Sequence, residues 1–180
     1  MKVLVVIDMQ NDFITGSLGT PEAQVIVPNV KKKIDEAVNN GDLIIFTRDT
    51  HYRDYLDTEE GQKLPVEHCI RDTEGWQICD GLVPDNYNFM TIRNKLTFGD
   101  EDLPGELHDM LYFFDKEVTE IELVGLCTDI CVVSNALLMK AAFYDSYEIS
   151  VDATCCAGVT PESHEAALKT MEMCQINVKR

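Results

Sequence analysis

The sequence predicts an α/β fold of three layers, helix on sheet on helix, built round a six-stranded parallel sheet. Two observations predict it. Short apolar runs alternate with segments of helical period along the whole chain, the pattern of a parallel sheet with helices on both faces. The 180 residues are 45% hydrophobic and show no repeat, linker or low-complexity stretch, so one domain over residues 1–180 can bury a sizeable core.

Val3-Leu4-Val5-Val6-Ile7 reads as a buried first strand, and Asp8 ends it far too early for a membrane span. Pro21 to Asn40 reads as a helix, with Val25, Val30, Ile34, Ala37 and Val38 at helical spacing and Asn39-Asn40-Gly41 as its stop. Leu43 to Thr47 is a second strand. Asp49 to Asn86 is a long irregular stretch, of a length that in compact domains is functional or partly structured. Asn88 to Arg93 is the third strand, Leu107 to Phe114 a short helix, and Glu120 to Val124 the fourth strand. Asp129 to Tyr144 is a helix, Tyr147 to Asp152 the fifth strand, and Thr160-Pro161 opens a last helix to about Met173 in N-cap-then-Pro order. Ile176 to Val178 is the sixth strand.

The formal charge of −17 opposes nucleic acid and anionic membranes as partners and favours a small neutral substrate. Seven cysteines, an odd number, with no signal peptide or long apolar run, point to a reducing, cytoplasmic setting. Cys69, Cys79, Cys155, Cys156 and Cys174 read as small buried hydrophobes. A metal knuckle at Cys127 and Cys131 lacks a second pair, since Cys155 and Cys156 are adjacent.

In parallel sheets the ligand crevice lies beyond the carboxyl ends of the strands. Asp8 ends strand one, Asp49 follows strand two, Lys95 strand three and Cys131 strand four, so four reactive side chains share one edge. Thr128 reads as an N-cap, which makes Cys131 about the third helical residue, where free N–H groups and partial positive charge favour a thiolate and supply oxyanion donors. A thiolate attacking a carboxamide needs a group to take its proton and return one to the amine. Asp8 could do both, with Lys95 holding the charged forms. Asp49-Thr50-His51 and His68 offer three N/O ligands for a divalent metal with positions left open for substrate. Glu60 is a fourth ligand candidate, in competition with Glu59 and Glu67. His108 and His164 fall on helices as ordinary surface residues. Gly16-Ser17-Leu18-Gly19 lacks the ending of a phosphate loop and reads as a turn. Trp76, Phe13 and Phe98 could line a pocket, with core packing as the default.

These residues resemble the isochorismatase-like cysteine hydrolases, within them the nicotinamidase/pyrazinamidase branch. The likeness covers nearly the whole chain. It is carried by Val6-Ile7-Asp8-Met9-Gln10-Asn11-Asp12-Phe13, Thr47-Arg48-Asp49-Thr50-His51, Pro65-Val66-Glu67-His68-Cys69, Asn94-Lys95-Leu96-Thr97-Phe98-Gly99 and Gly125-Leu126-Cys127-Thr128-Asp129-Ile130-Cys131-Val132. The resemblance implies an Asp8–Lys95–Cys131 catalytic trio, a cis peptide before Cys127, and the backbone N–H groups of Cys127 and Cys131 as oxyanion donors. It implies Asp49, His51 and His68 as ligands to a divalent metal, zinc first, with iron or manganese as alternatives. That metal would hold the ring nitrogen of nicotinamide, and Cys131 would form a thioester and release ammonia. A homodimer or homotetramer is implied as well. In the pocket, Phe13 matches the family's aromatic wall and Phe98 is a further candidate. Leu64 stands where the family usually carries a large aromatic, and one extra residue separates Pro65 from His68.

Overall fold

A computed structural model of the chain describes residues 1–112 and 117–180 and builds one six-stranded sheet, every pairing parallel. The strands are β1 Lys2–Ile7, β2 Leu43–Asp49, β3 Met90–Lys95, β4 Glu120–Leu126, β5 Glu148–Ala157 and β6 Asn177–Lys179. Their order is β3-β2-β1-β4-β5-β6. The chain winds outward from β1 through β2 to β3, then returns to β4 on the other side of β1. The crevice where strand order reverses therefore opens between the carboxyl ends of β1 and β4.

The helices are α1 Asn11–Ile14, α2 Pro21–Asn40, α3 Glu59–Lys63, α4 Leu103–Tyr112, α5 Val133–Phe143 and α6 Pro161–Met173. One face of the sheet packs Leu4, Val6, Ile44, Phe46 and Val124 against Ile26, Val30 and Ile34 of α2. The other packs Val3, Val5, Ile45 and Leu123 against Leu107 of α4, Met139 and Phe143 of α5, and Leu168 and Met171 of α6. Full burial of each such side chain stabilises by roughly 1.5–3 kcal/mol, which fixes the frame on which the strand-end residues sit. No helix among the described residues is long and apolar enough to cross a membrane.

Several expected elements are displaced, each for a physical reason. α2 has the expected limits, and the Thr20 side chain accepts the Ala23 N–H. Its buried stripe, however, runs Ala23, Ile26, Val30, Ile34 and Ala37, while Val25 lies off the stripe and is 72% exposed. α4 starts at Leu103 because the Asp100 carboxylate accepts the N–H groups of Asp102 and Leu103; the helix end expected at Phe114 lies outside the described residues. β5 continues to Ala157 because, after an irregularity between Leu123 and Gly125, β4 pairs again with Cys156 and Ala157. Gly125 permits this: its φ is 120°, and a Cβ there would collide with the Ile7 carbonyl.

Candidate active site

At the end of β1, Asp8 takes a left-handed backbone conformation, φ 46°, one that Asp tolerates better than most residues. Its carboxylate is fully buried: Thr47 Oγ1 accepts the Asp8 N–H at 3.2 Å and donates to Asp8 Oδ1 at 2.7 Å. Lys95, last residue of β3, reaches across β2. Its Nζ lies 2.6 Å from Asp8 Oδ2, 3.3 Å from Asp49 Oδ1 and 3.5 Å from Cys131 Sγ. The Asp8 Oδ2 contact is close but off the angles of a hydrogen bond, so it is an ion pair. Burial would strip Lys95 of its proton, but Asp8, Cys131 and Asp49 outweigh burial and hold it firmly as an ammonium.

Burial first, then the Asp8 carboxylate, push the Cys131 thiol well above its ordinary pKa, with Lys95 opposing. Burial likewise raises Asp8, with Lys95 as the main counterweight. Burial thus favours the protonated thiol and makes Asp8 the stronger base, while Lys95 draws both toward their charged forms.

The turn that carries Cys131 differs in part from expectation. The Leu126-Cys127 peptide is cis, as the resemblance implied, but Thr128–Val132 forms a π turn before α5. Thr128 is not the N-cap: Cys127 takes that position, and Thr128 Oγ1 instead meets His164 Nδ1 at 2.8 Å. In an α-helix the Cys127 carbonyl would accept the Cys131 N–H. Here it accepts Ile130 N–H at 3.1 Å and Val132 N–H at 3.0 Å, passing over Cys131. On the inner side, Asn135 Nδ2 donates to the Cys131 carbonyl at 2.8 Å.

Beside the trio, ligand atoms of Asp49, His51, Glu60 and His68 all lie within 4.8 Å of one another. His68 Nδ1 is 2.8 Å from the Val66 carbonyl and must be its protonated nitrogen, which leaves Nε2 with a lone pair in the neutral ring. That Nε2 faces Asp49 Oδ2 and Glu60 Oε1, each at 3.7 Å. His51 Nε2 is buried and 3.0 Å from Asp49 Oδ2, yet outside hydrogen-bond geometry. Lone pairs and carboxylates turned on one another are unfavourable without a cation between them. Two imidazoles and two carboxylates suit a divalent metal. Of the competing glutamates, Glu59 pairs with Lys63 instead, at 2.5 Å.

Cys131 and the metal group open on one cavity of about 550 Å³, a volume typical of small-molecule sites, with Asp8 and Lys95 buried beside the thiol. Phe13, Leu64, Phe98, Leu18, Leu96 and Ile130 form its apolar walls, with the metal group, Cys127 and Cys131 at its base. Phe13 and Phe98 thus line the cavity, whereas Trp76 is core, donating from Nε1 to Thr50 Oγ1 at 2.9 Å beneath Arg48.

Sequence reasoning missed several supporting residues. Tyr55, fully buried, packs its ring 4.7 Å from His51 and 5.1 Å from His68 and donates from its hydroxyl to the Leu64 carbonyl at 2.8 Å. Gln10 Oε1 accepts the Asp49 N–H at 2.7 Å while its amide donates to the Asp49 and Trp76 carbonyls. Gln10 was visible in the first motif; nothing local marked Tyr55. His164, expected as an ordinary surface residue, is half-buried against the π turn, while His108 is exposed as expected.

A parallel α/β sheet with a buried cysteine, lysine and aspartate at its switch point defines the class. Residues 2–179 match the family described as Isochorismatase domain, and the chain belongs to that family. A protein of Arabidopsis thaliana described as a probable inactive nicotinamidase is 31% identical, over 98% of this chain and 89% of its own length. The crystal structure of nicotinamidase/pyrazinamidase PncA from Bacillus subtilis superposes with a TM-score of 0.83 at 28% identity, covering 99% of both chains. The structure of the pyrazinamidase of Pyrococcus horikoshii in complex with zinc gives 0.78 at 26% identity, covering 99% of this chain and 98% of that one.

Proposed function

We propose that this chain, as one catalytic unit over residues 1–180, is a cysteine-dependent, metal-assisted amidohydrolase of nicotinamidase type. It converts nicotinamide or a similar small neutral amide to the acid and ammonia. The observation that carries this reading is that Cys131, grouped with Lys95 and Asp8, shares one cavity with the four-residue metal group.

Asp8 takes the Cys131 proton, and the thiolate attacks the carboxamide carbon. The backbone N–H groups of Cys127 and Cys131 receive the developing oxyanion, the second passed over by the Cys127 carbonyl. Asp8 then returns the proton to the departing nitrogen, and ammonia leaves a thioester on Cys131. Water, deprotonated by Asp8, attacks that thioester to release the acid and restore the thiol. Lys95 stays charged throughout, stabilising Asp8 and the thiolate in turn. A divalent metal held by Asp49, His51, His68 and Glu60 would supply a Lewis acid for a heteroaromatic nitrogen, and Phe13 and Phe98 supply the ring walls. A metal-independent carbamoyl or ureido amidase would have no use for that group.

Ammonia release from nicotinamide by purified protein tests the reading. Cys131→Ala should lower it more than about a thousandfold, and a chelator should abolish it until zinc, iron or manganese is restored. Undiminished turnover by Cys131→Ala, with contaminating enzyme excluded, overturns the proposal. So does an inactive wild type at full metal occupancy, which matters because one relative is described as inactive.

A further inference from the structure

The outer side of the nucleophile turn is held by one stretch of chain, the connection from β5 into α6. Thr128, fully buried, meets His164 Nδ1 at 2.8 Å through its hydroxyl. The neighbouring Asp129 carboxylate accepts the Val159 N–H, its two oxygens 3.1 and 3.2 Å away. At Gly158 a Cβ would lie 2.9 Å from the Cβ and backbone N of His164, so only glycine lets the strand end close on that helix turn. His164 is held in the first turn of α6: it follows the Thr160/Ser163 capping box and donates its N–H to the Thr160 carbonyl at 3.0 Å. Burial lowers its pKa, with Glu165 and Asp129 opposing, so the ring is neutral near pH 7. A neutral imidazole can either donate to or accept from the Thr128 hydroxyl.

We propose that His164 is a positioning residue: by fixing Thr128 it sets the backbone N–H groups of Cys127 and Cys131 in register with the oxyanion. This rests on the amidase reading above. Thr128 follows Cys127 directly, and with Asp129 it ties the first half of the turn to α6 while Asn135 ties the second half to α5. Oxyanion donors act only when aimed at the position the charge will occupy. A turn released on one side keeps its thiol but loses that aim.

Metal-loaded wild type, His164→Ala, His164→Gln, Thr128→Val and the His164→Ala/Thr128→Val pair are assayed with nicotinamide. In parallel, alkylation of Cys131 by iodoacetamide, a displacement that creates no oxyanion, is followed by mass spectrometry. His164→Ala and Thr128→Val should each lower kcat about 10- to 100-fold with KM changed less than about threefold. The double variant should be no slower than the worse single one, His164→Gln should recover part of kcat, and alkylation should hold within about threefold of wild type. A wild-type kcat in His164→Ala overturns the proposal. Losses that multiply in the double variant overturn it too, as does alkylation that falls in step with kcat, which would mean a collapsed turn rather than a misaimed one. An active wild type with an unaffected His164→Ala defeats this inference alone, whereas an inactive wild type defeats the amidase reading as well.

Discussion

Asp8 has to be ionised to take a proton and basic enough to want one, and its surroundings supply both conditions. Burial raises its pKa while the Lys95 ammonium at 2.6 Å keeps the carboxylate available. Because the shift is upward, Asp8 regains its proton at a higher pH than an ordinary carboxyl of about 3.9. The acid limb of kcat/KM for nicotinamide should accordingly lie above that value. Asp8→Asn should keep the Thr47 contact but lower kcat by about 10²–10⁴-fold, and the pH–rate profile should lose that limb. An unshifted limb in the wild type would assign it to another group. Asp8, Lys95 and Cys131 were legible because each follows a recognisable strand. The support roles of Thr47 and Tyr55 were not, since the Thr47 partner Asp8 lies far away in sequence and the Tyr55 hydroxyl on the Leu64 carbonyl has no local signature.

At the scale of elements, the strands and α2 could be read from apolar period, and α6 from its Thr-Pro start. The entry to α5 could not. Thr128 has the chemistry of a cap, but the π turn and the packing of α6 against it turn its hydroxyl toward His164, a tertiary demand that overrides local preference. Asn135 carries the same lesson into energetics. Fully buried on α5, it accepts the Asp100 N–H at 3.0 Å and donates to the Phe98 and Cys131 carbonyls at 3.1 and 2.8 Å. It therefore joins the nucleophile turn, the cavity wall and the start of α4. Asn135→Ala should cost about 2–4 kcal/mol in denaturant unfolding, since it leaves buried polar groups unpaired. It should also lower kcat; an unchanged unfolding midpoint would show that water replaces the lost amide.

Across the whole molecule, the sheet separates chemistry from anchorage. Reactive groups occupy the carboxyl edge, while Glu120 and Glu122 of β4 and Asp152 of β5 pair with Lys2, Lys33 and Lys179 toward the other end. Despite burial, the lysines and Ser150 hold Glu120 at a pKa of about 2, below its ordinary 4.5. With the folded value below the unfolded one, the stabilisation is complete above pH 4.5 and is lost as pH falls toward 2. Glu120→Gln should lower Tm near neutral pH, because removing one partner strands buried charge, and should flatten the decline of Tm over that acid range. A decline as steep as in the wild type would place the acid sensitivity elsewhere.

The mouth of the cavity has a different character from its floor. Leu96 is 62% exposed, Phe98 46% and Leu64 38%, whereas the reacting groups beneath them are locked into buried pairs. Substitutions at the lip should therefore alter which amide is admitted at little cost in stability, whereas changes to the floor should cost both folding and turnover.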